Sequence, residues 1–177
     1  MTLRDDAVQA LTTWTAPSSD QSRLQREFIA HLQSHDQGWS RSCLPDHLTA
    51  SALVLDHDHQ HVLLGLHRKV RLWLQFGGHI EASDVSLLDA ARRETAEESG
   101  LMQVKFADDG PIQLDRHAAP CGHGARHHLD VQYRAFADRA ETPVVSTESL
   151  DVRWFPVTAL PEDTDSAVRS LVAAATR

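Results

Sequence analysis

Apolar residues recur at helical spacing from the start of the chain. Leu3, Ala7, Leu11 and Trp14 share one face up to Pro17. After the capping cluster Ser18-Ser19-Asp20, Leu24, Phe28 and Leu32 repeat the pattern up to Gly38. Residues 1–45 therefore read as a helical extension of two short amphipathic helices. From Leu48 the texture changes to short β runs. Leu48 to Leu55, a polar turn at His57-Asp58-His59-Gln60 and His61 to Leu66 read as a hairpin, followed by an apolar run from Leu72 to Phe76 that ends at Gly77-Gly78. Ser86 to Gly100 is rich in Ala, Leu, Arg and Glu. It opens on Ser86 with Asp89 three residues on, as in a capping box, and closes on a glycine suited to a left-handed cap, so it predicts a helix. Strands follow at Gln103 to Phe106, Ile112 to His117, His128 to Ala137 and Val152 to Phe155, with a loop from Ala118 to Arg126. A last helix from about Ser166 buries Val168, Leu171, Val172 and Ala175.

Composition narrows the class. The 177 residues are 41% apolar and 24% charged, with a formal charge of −8, values of a globular domain rather than a disordered or fibrous chain. The acidic balance argues against a nucleic-acid polymer as partner, because such binding rests on cationic surface. No stretch approaches the roughly 20 apolar residues of a membrane span. Arg4, Asp5 and Asp6 stand where a signal peptide would need an apolar core, so the expected location is cytoplasmic. Cys43 and Cys121 make no disulfide framework.

The chemistry concentrates on the helix at 86–100. Glu94, Glu97 and Glu98 stand at i, i+3 and i+4, so their carboxylates emerge on one face and repel. Such an oxygen-rich face is what hard divalent cations require, although charge runs are also common on solvated helix faces.

The neighbouring residues sharpen the choice. Arg93-Glu94-Thr95-Ala96-Glu97-Glu98-Ser99-Gly100-Leu101, preceded by Gly77-Gly78-His79-Ile80-Glu81, resembles the signature of the Nudix hydrolases, Gly-x5-Glu-x7-Arg-Glu-U-x-Glu-Glu-x-Gly-U with U a bulky aliphatic residue. Five fixed matches in its second half would arise by chance in about one such chain in ten thousand, at roughly 6% usage per residue. The first half departs from the pattern. Asp84 stands where the family has Glu, one extra residue separates it from Arg93, and Thr95 replaces the first aliphatic. The insertion leaves the spacing of the three glutamates intact but makes an Asp84–Arg93 ion pair less to be expected.

The resemblance implies a Nudix-fold α/β/α sandwich with a mixed β-sheet over residues 46–177, behind the helical extension. It implies an enzyme, a pyrophosphohydrolase that cleaves a diphosphate linkage in a nucleoside diphosphate derivative. A nucleoside triphosphate, a nucleotide sugar such as ADP-ribose and a dinucleoside polyphosphate are the candidate substrates. Mg²⁺ or Mn²⁺ would be held by Glu94, Glu97, Glu98 and the carbonyl of Gly77, with Arg93 beside them. Glu98 or Glu148 would act as base, Glu148 lying in the loop before the closing strand and reading equally as a solvated glutamate. Nudix proteins are often dimers, and the N-terminal helices offer a homodimer interface. The alternatives are a nucleotide sensor without turnover and an isoprenoid-diphosphate isomerase, for which Cys43 and Cys121 are the candidate reactive thiols.

Substrate contacts are less determined. Arg68, Lys69 and Arg71 either meet phosphate charge or form a solvated basic hairpin. Twelve histidines, with His117, Cys121, His123, His127 and His128 around one loop, raise the question of zinc. There is no C-x-x-C or H-E-x-x-H, and alternation separates His127 from His128, so structural or substrate-contacting histidines are the preferred reading. His47-Leu48-Thr49-Ala50, His79 after Gly77-Gly78, and His128 with Asp130 resemble further stretches of some bacterial Nudix sequences, which implies that they line the same pocket as the metals. Trp39, Trp73, Tyr133 and Trp154 read as core before nucleobase contact.

Overall fold

Both N-terminal helices form where the periodicity places them. The computed structural model describes residues 2–108, 110–119, 124 and 126–177, and opens with helix α1 (Leu3–Thr13) and helix α2 (Ser19–Ser34). Thr2 caps α1 in a reciprocal box with Asp5, and the Ser18 hydroxyl accepts from the Gln21 amide to start α2. Their apolar stripes do not form a separate core. Ala7, Leu11, Phe28 and Leu32, all 0% exposed, pack into one cluster with Leu48, Ala50, Ala90 and Val131 of the domain behind them.

Eight strands form a single sheet around β1 (Asp46–Asp56) and β7 (His127–Ala137), which run parallel along their whole length from Asp46 opposite His127 to Asp56 opposite Ala137. The other edge of β1 is shared. Its C-terminal end pairs with β2 (His61–His67), and Thr49 to Ala52 pair with β4 (Phe76–His79), both antiparallel. β3 (Trp73–Leu74) and β8 (Ser149–Pro156) flank β2, while β5 (Lys105–Phe106) and β6 (Gln113–Ala118) flank β7. Because β1 is buried on both faces, its alternation sorts the layers. Leu48, Ala50, Ala52 and Val54 meet α1, α2 and helix α3 (Leu87–Ser99), whereas Leu53 and Leu55 meet helix α4 (Ser166–Ala175). The architecture is the expected α/β/α sandwich with a mixed sheet, and no described helix is long and apolar enough to cross a membrane.

Three local readings change. The apolar run 72–76 is two strands, and β4 continues through Gly77-Gly78 rather than ending there. A Cβ on Gly77 would stand 2.2 Å from the Ser51 side chain on β1, so only glycine allows the two backbones to pair this closely. At α3 the box is half formed. The Ser86 hydroxyl accepts from the Asp89 amide, but the Asp89 carboxylate takes the Val85 amide, one residue before the cap. The strand expected over 103–106 shortens to β5. Gly100 adopts φ 66 and closes α3 as anticipated.

Phe28→Ala is expected to destabilise the chain by about 3–5 kcal/mol, because it empties a fully buried position in the core shared with the sheet. Urea denaturation measures this, and a loss below about 1 kcal/mol would mean that the extension folds independently of the sheet.

Candidate active site

Helix α3 lays its acidic face against β4. Glu98 is largely buried and accepts a hydrogen bond from the Gly77 amide at 2.9 Å. Burial pushes its carboxyl up to about 8. The Gly77 bond opposes this, and the nearby Glu94, Glu148 and Glu97 charges add to the rise. Glu94 is also pushed above the usual carboxylate range, first by burial, against the pull of Arg93. Its carboxylate lies so close to β4 that a Cβ on Gly78 would sit 2.9 Å from it. Glu97 is the outer member of the face, its side chain 59% exposed.

Arg93 organises the surroundings. Its Nε and one Nη donate to the two carboxylate oxygens of Asp84, both at 3.0 Å, and that Nη also donates to the His79 carbonyl at 2.9 Å. The other Nη reaches Glu94 at 2.9 Å and Glu97 at 3.2 Å. The inserted residue therefore does not break the brace, contrary to the sequence expectation. The loop absorbs it in a turn in which the Asp84 amide donates to the Glu81 carbonyl and the Glu81 amide donates back to Asp84. Burial alone would raise the Asp84 carboxyl, but its bonds from Arg93 and the Glu81 amide hold it below the ordinary value.

The other expected residues divide. Glu148 is exposed in the loop before β8, close enough for its charge to act on Glu94 and Glu98. Arg68 holds that loop, donating from Nε to the Thr147 carbonyl and from Nη to the Ser149 carbonyl, while its own amide donates to the Glu148 carbonyl. Arg71 is exposed in the β2–β3 turn at φ 61. Asp130 is 3% exposed and spends its oxygens on Thr49, Ser51 and Gln132 at 2.9, 2.6 and 3.0 Å, an internal network rather than an open contact. Cys43 lies 4.0 Å from His31, its thiol pushed up by burial. Trp73 is core, edge-on to Phe155, as is Tyr133; Trp39 and Trp154 pack partly buried against the core.

Histidines prove more organised than the loop reading suggested. His127 joins Asp46 and Arg116, whereas His128 contacts His117, His47 and His79. Cys121 and His123 lie outside the described residues. The resemblance already places His47, His79 and His128 in one pocket, but their direct ring contacts depend on strand pairing, of which the alternating polar residues His47, Thr49 and Ser51 in an otherwise apolar β1 are the visible trace.

A family model of the NUDIX domain matches residues 45–175. A Nudix-family hydrolase from Clostridium perfringens superposes with a TM-score of 0.61 at 22% identity, covering 73% of this chain and 95% of that one. An Ap4A hydrolase from C. elegans superposes at 0.61 and 17% identity, covering 72% and 93%. The Nudix domain of Shewanella oneidensis NrtR, solved with ADP ribose, superposes at 0.57 and 21% identity, covering 82% and 94%. No curated protein matches by sequence. A mixed sheet carrying this braced acidic helix belongs to the Nudix class of folds. The chain belongs to the Nudix family.

Proposed function

We propose that the chain hydrolyses the diphosphate linkage of a nucleoside diphosphate derivative with the help of Mg²⁺ or Mn²⁺. Supporting it above all is the burial of Glu98 against Gly77, where Glu94 and Glu148 crowd its charge. Oxygen donors that push one another's carboxyls upward suit a hard divalent cation, which relieves the repulsion. Glu94, Glu97, Glu98 and the Gly77 carbonyl would hold it. Bound there, a divalent ion supplies neutralisation of phosphate oxygens and acidification of a water molecule. Arg93 keeps Glu94 and Glu97 oriented from below, and Arg68 positions the loop that carries Glu148. Glu98 or Glu148 takes the proton of the attacking water. Arg71, exposed in the turn between β2 and β3, is a candidate cation for substrate phosphate.

The superposed relatives include one that is an Ap4A hydrolase and one bound to ADP ribose, so dinucleoside polyphosphates and ADP-ribose head the candidates, with nucleoside triphosphates beside them. Phosphate or nucleotide release from such a panel, with and without Mg²⁺, tests the reading and selects the class. Nucleotide binding without any release would make the chain a sensor instead.

Metal binding is expected to be coupled to protons. With its carboxyl near 8, Glu98 is largely protonated at pH 7 before the metal arrives, so binding should release up to about one proton and tighten as pH rises from 6 to 8. Calorimetry in two buffers of different ionisation enthalpy reads this directly. Equal heats in both would contradict it.

A further inference from the structure

The sheet face opposite α3 carries a row of imidazoles. Alternation in β1 points His47, Thr49 and Ser51 away from Ala50 and Ala52, which meet α3. The register sets His128 beside His47, His117 beside His128, and His79 beside Thr49. The rings of His47, His79 and His128 stand 5.1–5.2 Å apart, centroid to centroid. One ring nitrogen from each lies within 4.8 Å of those of the other two.

Two ring nitrogens of this group have no hydrogen-bond partner among the described residues. His47 is 0% exposed, and its Nε2 and that of His79 are buried without a hydrogen bond among the described residues. Burying one unpartnered polar atom costs about 1–3 kcal/mol, so two facing a third imidazole favour occupation of the space between them by a polar ligand. The outer bonds select tautomers. His47 Nδ1 lies 3.3 Å from the Cys43 carbonyl, which only accepts, so Nδ1 carries the proton and Nε2 the lone pair. Asp115 accepts from His117 Nδ1 at 2.7 Å; when His117 is neutral its Nε2 accepts from His128 Nδ1 at 3.3 Å, which places the lone pair of His128 on Nε2. Metal-ligating histidines are oriented by such bonds from their second nitrogen.

We propose that His47, His79 and His128 form a three-imidazole site for a divalent transition-metal ion of the zinc class, separate from the carboxylate face of α3. Imidazole nitrogens suit Zn²⁺, whereas Mg²⁺ takes oxygen donors. At a Zn–N length of about 2.1 Å tetrahedral ligands lie roughly 3.4 Å apart, so each nitrogen moves inward by less than about 1 Å. Three protein ligands leave a fourth position for water, reached past the partly exposed His79 and His128. The ion would tie β4, β1 and β7 together, and the His79 carbonyl, which accepts from Arg93, connects that tie to the acidic helix. The second histidine–cysteine group, His31, His35 and Cys43, carries less. His31 Nε2 already serves the Gly38 carbonyl and His35 Nδ1 the His31 carbonyl.

The test uses the untagged full chain, purified without immobilised metal and titrated with Zn²⁺ in the presence of excess Mg²⁺. One tightly held Zn²⁺ per chain is expected in the wild type and equally in Glu98→Gln. Its affinity should fall at least 100-fold in His79→Gln and His128→Gln, and about 10–100-fold in Asp115→Asn, which removes only an orienting bond. X-ray absorption of the wild-type zinc complex should show three imidazoles, a readout that stands even if a histidine variant fails to fold. No tight Zn²⁺, unchanged affinity in folded histidine variants, loss of the ion with Glu98→Gln, or an all-oxygen shell would each overturn the site.

Discussion

Glu98→Gln is expected to lower metal-dependent turnover by about 10²–10⁴-fold, the range for losing a catalytic proton acceptor, while the fold survives. The amide keeps the shape of the side chain and an oxygen able to accept the Gly77 amide. It cannot supply the negative charge. The same substitution should change the pH dependence of stability in the metal-free protein. The Glu98 carboxyl is raised in the folded chain from 4.5 to about 8, so the folded state retains a proton that the unfolded state releases. That contribution is fully present below pH 4.5 and is lost as pH rises through 8. Wild-type stability should therefore decline across this window, and the glutamine variant should decline less. Thermal melts with chelator at several pH values, set beside rate measurements with Mg²⁺, separate the catalytic from the structural effect. An unfolded variant, or one with wild-type turnover, would remove Glu98 from its proposed role.

Arg93→Ala is expected to destabilise the chain about as much as Phe28→Ala. It leaves Asp84, whose side chain is 4% exposed, without its bidentate partner and strips a donor from the His79 carbonyl. Removing one partner of a buried ion pair typically costs about 3–5 kcal/mol, which for a chain of this size lowers Tm by roughly 6–20 °C. Arg93→Lys should recover only part of this, because a single ammonium cannot reproduce the planar fork across Asp84. Asp84 is held below its ordinary value, so the brace contributes above the normal aspartate range and is lost as acid protonates that carboxyl. Denaturant midpoints at pH 7 and in acid check both statements. A midpoint unchanged by Arg93→Ala would show that the loop from 81 to 86 is held by other means.

The two substitutions probe neighbouring residues that were unequally legible. Helix α3, its glycine cap and the one-sided array of Glu94, Glu97 and Glu98 follow from spacing within fifteen residues, so they could be read directly. The Asp84–Arg93 brace lies within ten residues and still could not, because its formation depends on how a turn absorbs one extra residue. Arg68 illustrates a different obstacle. As a cation near the Gly-Gly strand it read either as a phosphate contact or as part of a solvated hairpin, yet its donors go to the carbonyls of Thr147 and Ser149, far along the chain.

Local pattern by itself determined the helices, most of the strands, the apolar faces and the acidic motif, because periodicity, caps and i, i+3, i+4 spacing act within a few turns of chain. Beyond the β1–β2 hairpin, tertiary structure alone decided which strands pair, and with them the joining of the N-terminal helices to the sheet core, the enclosure of Asp130, and the meeting of His47 with His128 across 81 positions. The physical reason is that side-chain alternation fixes a residue's face but not its neighbour. That neighbour is set by register, which depends on the burial of the whole sheet at once.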